Sequence, residues 1–282
     1  MNAKIIDGKA IATQEKAKIR KEAELFNEKF GRQVGLAVII VGEDPASKIY
    51  VNNKIKACEE TGIRSFSYRL PESVSDQDVI DLIEELNENE AVDGLLVQVP
   101  LPKHLNEQKI LSHITVNKDV DGFCATNVGN LLLSRECNKA CTPAGIITLI
   151  ESTGVNICGK HAVVIGRSNT VGKPVALMLL EKNATVTVCH SKTENLAEVC
   201  KTADVLVCAV GRKHIVTADM VKEGAIVIDV GMNRVDGKLY GDVDFENVSK
   251  VAGYITPFPG GVGPMTVTML LKNTVKVAYR GK

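Results

Sequence analysis

Five stretches of this 282-residue chain hold the side chains best suited to chemistry. In DPASKIYVNNK at 44–54, Tyr50 and Lys54 stand four apart, so on a helix they project from one face. A phenol and an amine so placed can carry a proton, the amine more readily where burial or neighbours lower its pKa. The same step also describes a solvated helix face. Gln98 lies in LLVQVPLP where an apolar run ends, and a buried amide must find partners in protein or ligand. The two carboxylates of KDVDGF, Asp119 and Asp121, are either turn caps or ligand acceptors. At 163–174, VVIGRSNTVGKP runs a β-branched segment into a glycine-and-hydroxyl turn and then a helix start. Such a turn gathers backbone N–H groups and the positive helix end around a phosphate. It reads G-x-S-x-x-x-G, not G-x-G-x-x-G, and an ordinary strand-to-helix turn has the same outline. The fifth stretch, TPFPGGVGPMT at 256–266, crowds three glycines and three prolines into an irregular path before a helix, suited to close backbone approach to a ligand.

The segment after the phosphate turn indicates which nucleotide fits. ATVTVC at 184–189 reads as the next strand and ends in His190-Ser191-Lys192-Thr193, with no carboxylate before Glu194. An acid at that place suits the ribose diol of NAD. Hydroxyls and a cation there, with Arg167 in the turn, suit a 2′-phosphate, so the expected cofactor is NADP. Solvated loop residues would look the same.

These side chains must be carried by an alternating framework. A helix is predicted over 10–30, ended by Gly31; a buried strand over 35–41; a helix over 45–61, begun by Asp44 and Pro45 and ended by Gly62. A strand at 65–70, a helix at 76–87 and a strand at 93–99 follow. Continuous apolar strands between amphipathic helices indicate a parallel sheet covered on both faces. Thr142 reads as an N-cap with Pro143 opening a helix over 143–152. Strands are expected at 161–165, 184–189, 205–209, 225–230 and 253–255, with a helix at 175–180 after the phosphate turn. The last helix, 265–279, is expected to pack back on the first domain. The fold class is thus α/β with two domains and a cleft between them: an N-terminal substrate domain and a doubly wound, Rossmann-type nucleotide domain. The expected boundaries are 1–120 plus 265–282, then 141–264, with 121–140 connecting them.

Composition excludes several classes. Lys+Arg and Asp+Glu both number 34, so no net field draws nucleic acid or an acidic membrane. Tryptophan is absent and aromatics are 4%, against a base-stacking surface. No apolar run is long enough for a membrane span, and residues 1–8 carry no basic segment followed by an apolar run; the expected location is cytoplasmic. Eight cysteines lie mostly inside apolar patterns and read as reduced packing thiols. Cys137 and Cys141 lack a second pair, and the five histidines have no ligand spacing, so no metal is expected.

Together the segments resemble the bifunctional methylenetetrahydrofolate dehydrogenase/methenyltetrahydrofolate cyclohydrolase family over almost the whole length. The likeness rests on DPAS-x-x-YV-x-x-K at 44–54, DGLLVQVPLP at 93–102, KDVDGF at 118–123, CTPAG at 141–145, VVIGRSNTVGKP at 163–174, CHSKT at 189–193 and ITPFPGGVGPMT at 255–266. Thr170 and Val99 depart from the family's usual isoleucine and leucine, and neither change removes a chemical group. The resemblance implies a catalytic Lys54, Tyr50 packed against the folate, Gln98 bonded near Lys54, and Asp121 holding the pterin. It also implies an NADP site of Gly166, Arg167, Ser168, Ser191 and Met232. Folate contacts would further include Val99, Pro100, Gly260, Gly261, Pro264 and Thr266, and the partners would be folate substrates and a second copy in a homodimer through the nucleotide domains. Competing readings are a monofunctional dehydrogenase, a shikimate-type dehydrogenase and a non-catalytic nucleotide sensor.

Overall fold

The structure, a computed structural model, describes residues 2–43 and 45–281, and of residues 45–50 the backbone alone. Its elements run β1 (Lys4–Ile5), α1 (Gly8–Phe30), β2 (Gly35–Val41), α2 (Pro45–Thr61), β3 (Arg64–Leu70), α3 (Asp76–Glu88), β4 (Gly94–Val97), α4 (Glu107–Ser112), α5 (Ala125–Leu132) and α6 (Cys141–Glu151). Then come β5 (His161–Ile165), α7 (Gly172–Glu181), β6 (Thr185–Cys189), α8 (Leu196–Lys201), β7 (Val205–Cys208), β8 (Ile226–Asp229), β9 (Asn233–Val235), β10 (Lys238–Tyr240), α9 (Phe245–Val248), β11 (Tyr254–Ile255) and α10 (Val262–Arg280). Contacts divide the chain into two compact units: residues 14–141 with 267–282, and residues 1–13 with 142–266.

The first unit is built on a parallel sheet in the order β3-β2-β4. The central strand β2, GLAVIIV, is buried along its whole length, as a run apolar on both faces requires. Helix α3 packs Val79, Ile80, Ile83 and Leu86 against this sheet; these positions mark a single stripe. It opens with a capping box: Ser75 accepts from the Asp78 N–H, and Asp78 accepts from the Ser75 N–H. Arg32 clamps Asp93 through two nitrogens, at 2.8 and 2.7 Å, and Asp93 also accepts from the Gly35 N–H.

The second unit holds a parallel sheet in the order β1-β11-β8-β7-β5-β6. From β5 the chain moves to β6 on one side and returns to β7 on the other. The order therefore reverses between β5 and β7, which is where such sheets bind ligands, outside the carboxyl ends of the strands. Lys4 and Ile5 pair with Tyr254 and Ile255, so the first thirteen residues group with this sheet and not with the unit that follows them. A strand of two residues carries no readable period, so nothing in the residues marks it. The hairpin β9/β10 and helices α4, α5, α8 and α9 are likewise too short to register. Helix α6 begins at Cys141, and Thr142 lies inside it with its hydroxyl 2.9 Å from that of Thr266; Thr142 is not the cap that the sequence suggested.

Two carboxylates are buried at the carboxyl edge of this sheet, Asp229 at the end of β8 and Asp242 just after β10. Burial pushes the Asp229 carboxyl up to about 6, against the pull of three backbone N–H donors, with the Asp242 charge adding to the rise. A folded-state value above the unfolded 3.8 means that the native state binds the extra proton between those limits. Stability from this group is therefore greatest at low pH and falls as pH rises from about 4 to about 6. Relative to Asp229→Asn, the parent chain should lose up to about 3 kcal/mol between pH 4 and pH 7 in urea denaturation. A difference that does not change with pH would place Asp229 in the ordinary carboxylate range.

Candidate active site

In the first unit α2 and β4 bring two sequence-predicted residues together. Lys54 is half-buried in α2, and its Nζ donates to Gln98 Oε1 at 2.9 Å. Gln98 stands one residue beyond β4. Its N–H is fixed to the Ile39 carbonyl of β2 at 2.8 Å, and its Nε2 donates to the Val99 carbonyl at 2.7 Å. That second bond orients the amide, so its oxygen and not its nitrogen faces the lysine. Val99 and Pro100, joined by a cis peptide, carry the chain away from the sheet edge. The Tyr50 backbone lies one helical turn before Lys54, and its side chain is outside the described residues.

The two carboxylates of KDVDGF have separate jobs. Asp119 is buried and accepts from the N–H groups of Gly122 (2.9 Å), Phe123 (3.3 Å) and Cys124 (2.8 Å) and from Asn127 Nδ2 (2.8 Å). It is the turn cap. Asp121 caps no backbone group in that turn; its Oδ1 lies 3.8 Å from the Cys141 thiol, which also donates to the Val120 carbonyl at 3.3 Å. Burial pushes the Asp121 carboxyl up, and Asp119 adds to this, while the positive charge of Lys54 pulls it down. Lys54, Gln98 and Asp121 thus belong to one electrostatic neighbourhood. Asn273 of α10 holds the turn from behind, donating to the carbonyls of Val120 (2.8 Å) and Lys139 (3.0 Å). Cys141 read as a packing thiol in the sequence, and no local pattern shows that it reaches Asp121.

The second unit shapes the nucleotide turn. A Cβ on Gly166 would stand 2.3 Å from the Ala209 carbonyl oxygen, and one on Gly172 would stand 2.2 Å from the Gly166 oxygen. Gly166 also sits at φ +124, so both glycines are demanded by the backbone itself. Ser168 Oγ accepts from the N–H groups of Val171 (3.1 Å) and Gly172 (3.3 Å), and its carbonyl takes the Lys173 N–H at 3.0 Å. The first donors of α7 are therefore already engaged by Ser168, whose own proton remains to donate. A phosphate resting on those N–H groups, as the motif suggested, would have to displace the cap. Arg167 and Ser191 are exposed, and the strands before them are in register, Ile165 beside Cys189, so both leave the same sheet edge. The Ser191 turn is closed by Thr193, which accepts from the His190 N–H, and by His190, which accepts from the Lys192 N–H. Met232 follows β8 and is exposed. Gly260 (φ +105) and Gly261 lead into α10, and Pro264 and Thr266 lie in its first turns.

The eight cysteines are free thiols. Among the described residues no group of acidic, cysteine or histidine side chains is placed to hold a metal, and no helix is long and apolar enough to cross a membrane.

Residues 6–121 match the family model for the catalytic domain of tetrahydrofolate dehydrogenase/cyclohydrolase, and residues 140–282 match its NAD(P)-binding domain. A bifunctional protein FolD of Moorella thermoacetica is 53% identical over 281 residues, which is 99% of this chain and 100% of that protein. The crystal structure of the bifunctional FolD enzyme from Campylobacter jejuni superposes with a TM-score of 0.97 at 48% identity, covering 99% of this chain and 100% of that one. A Trypanosoma brucei methylenetetrahydrofolate dehydrogenase-cyclohydrolase, complexed with NADP cofactor and inhibitor, superposes with a TM-score of 0.95 at 40% identity over 100% and 99% of the two chains. With both domain models matched in order and full-length likeness to such relatives, this chain belongs to the tetrahydrofolate dehydrogenase/cyclohydrolase family.

Proposed function

We propose that this chain oxidises 5,10-methylenetetrahydrofolate with NADP and then hydrolyses the 5,10-methenyl product to 10-formyltetrahydrofolate. The observation that carries this reading is the Lys54–Gln98 hydrogen bond beside Asp121, within the segment that matches the catalytic domain. The unit of residues 14–141 and 267–282 would carry the folate, and the other unit the nucleotide. The family resemblance supports a homodimer joined through the nucleotide units and a cytoplasmic location.

The residues of the β5 turn fit a dinucleotide. Gly166 and Gly172 leave no room for a side chain, so backbone is presented bare at the sheet edge where the strand order reverses. Arg167 and Ser191 would take the 2′-phosphate, Ser168 would donate its hydroxyl proton, and Met232 would lie along the bound group. When bound, NADP supplies the acceptor for hydride. The methylene C–H bond breaks with its electron pair, and the lone pairs of the two flanking folate nitrogens stabilise the cation that forms. No strong base is needed, so the protein's part in this step is positioning. Asp121 would accept from the pterin N–H groups, with Tyr50, Val99 and Pro100 placing the folate.

Ring opening does need a proton carrier. Water adds to the methenyl carbon and gives up a proton. The hydroxyl so formed then releases its own proton to water as its oxygen becomes the formyl C=O, one C–N bond breaks, and the departing nitrogen takes a proton. Lys54, as the amine, would accept the first proton and return it to the nitrogen, and Gln98 holds its Nζ at the required place. The net reaction releases one proton.

The first test is turnover of methylenetetrahydrofolate with NADP and, separately, with NAD, followed by decay of added methenyltetrahydrofolate, all read by absorbance. NADP reduction with accelerated decay is expected; NADP reduction without it removes Lys54 from its role. Lys54→Met should slow ring opening by about a hundredfold or more, since general acid–base catalysis supplies about 10²–10⁴. Arg167→Ala should weaken NADP by about tenfold or more and leave NAD unaffected, because a hydrogen bond to a charged group contributes about 1.5–3 kcal/mol. Equal losses for both nucleotides would show that Arg167 does not read the 2′-phosphate. Gly166→Ala should raise the KM for NADP about 5- to 150-fold, matching about 1–3 kcal/mol of backbone strain.

A further inference from the structure

The loop after β7 is held by a buried side chain from a distant part of the sequence. Asp242 Oδ2 accepts from the N–H groups of Val210 at 2.8 Å and Gly211 at 3.0 Å, and Oδ1 from that of Arg212 at 2.8 Å. Asn233 Nδ2 adds a fourth nitrogen donor to Oδ1 at 2.9 Å, and the Cys208 thiol lies 3.7 Å from Oδ2. Asp242 is fully buried. A carboxylate is fitted to such a place because both oxygens accept and neither must donate. Three successive backbone N–H groups pointing at one acidic side chain fix the path of a segment that belongs to no helix or strand.

That segment borders the place where the strand order reverses. Ala209, its first residue, is the one whose carbonyl oxygen would meet a Cβ on Gly166, so the loop forms one wall of the nucleotide turn. Asp229 braces Asp242 from the next strand: its Oδ1 accepts from the Asp242 N–H at 2.9 Å and from Gly231 N–H at 3.0 Å, and its Oδ2 accepts from Val243 N–H at 3.1 Å. Asp229 is tied in turn to the end of β11, donating its own N–H to Thr256 Oγ1 at 2.8 Å. Gly231, just before Met232, is pressed so close that a Cβ there would stand 2.0 Å from Asp242 Oδ1. The two acids therefore connect the loops that leave β7, β8 and β11.

We propose that Asp242, braced by Asp229, is a positioning residue of the dehydrogenase: it holds the loop of residues 209–212 in the form that admits NADP. This rests on the nucleotide reading given above. Asp242 touches neither nucleotide nor folate; it acts through the backbone of Val210, Gly211 and Arg212. An amide in its place would turn its NH2 group toward two N–H donors whichever way it faced, so the loop would be released.

The test is calorimetric titration of NADP into the parent chain, Asp242→Asn and the milder Asn233→Ala, with ring opening and thermal melting measured on each. Asp242→Asn should bind NADP about tenfold or more weakly, a change of about 1.4 kcal/mol. Its kcat for the dehydrogenase at saturating NADP should fall less than threefold, and ring opening, which uses no nucleotide, less than twofold. Asn233→Ala, which removes one donor, should weaken NADP a few-fold and keeps the question open to refutation if Asp242→Asn does not fold. A lower melting temperature with an unchanged Kd for NADP in both variants would show that the carboxylate is structural only and overturn the proposal. Failure of the parent chain itself to bind NADP overturns the nucleotide reading, and the role of Asp242 with it.

Discussion

Backbone N–H groups that leave a parallel sheet and enter no helix must still find acceptors once they are buried. In each unit of this chain buried aspartate meets that demand. Asp119 takes the N–H groups of Gly122, Phe123 and Cys124, and Asp242 takes those of Val210, Gly211 and Arg212. In both cases an asparagine side chain completes the shell, Asn127 in one and Asn233 in the other. A carboxylate costs free energy to bury, and several N–H donors offset it better than one counter-charge of uncertain placement. The loops around each proposed site owe their shape to this arrangement more than to turn propensity.

Because Asp119 satisfies the KDVDGF turn, Asp121 is relieved of capping and can face other groups. Burial raises its carboxyl and outweighs the Lys54 charge that lowers it, so the group stays above the ordinary carboxylate range. Lys54 is held differently, by a neutral amide whose other end is tied to its own backbone. A neutral acceptor places the nitrogen by one directed bond, which suits the proton-carrying role proposed for Lys54.

Much of this was legible in the residues. The run GLAVIIV announced a strand buried on both faces, Gly31 and Gly62 marked where α1 and α2 stop, and both sit at positive φ. The Lys54–Gln98 bond was implied by family resemblance, since residues 44 apart declare no contact by spacing. Other features were beyond reach for physical reasons. Lys4–Ile5 pairs with a strand 250 residues away, and two residues have no period to read. Asp229 falls inside an expected strand and Asp242 looks like a loop acid, and the burial of both depends on three strands converging at one edge. The division of labour between Asp119 and Asp121 follows from which of them the turn points inward, a matter of local backbone angles.

The serine in G-x-S-x-x-x-G bears on how a nucleotide could be recognised at all. In G-x-G-x-x-G turns the second glycine lets the pyrophosphate approach the backbone and the helix N–H groups. Here Ser168 stands two residues after the first glycine and uses its oxygens on Val171, Gly172 and Lys173, so the start of α7 has fewer donors to offer an anion. The burden of holding phosphate then shifts toward side chains, and the exposed Arg167 and Ser191 leave the same sheet edge. Side-chain charge discriminates a 2′-phosphate from a hydroxyl far better than a helix terminus does, because the ion pair exists only when the extra phosphate is there. On the nucleotide reading proposed for this turn, a cap that occupies these N–H groups while leaving Arg167 exposed would favour NADP through specificity more than through gross affinity.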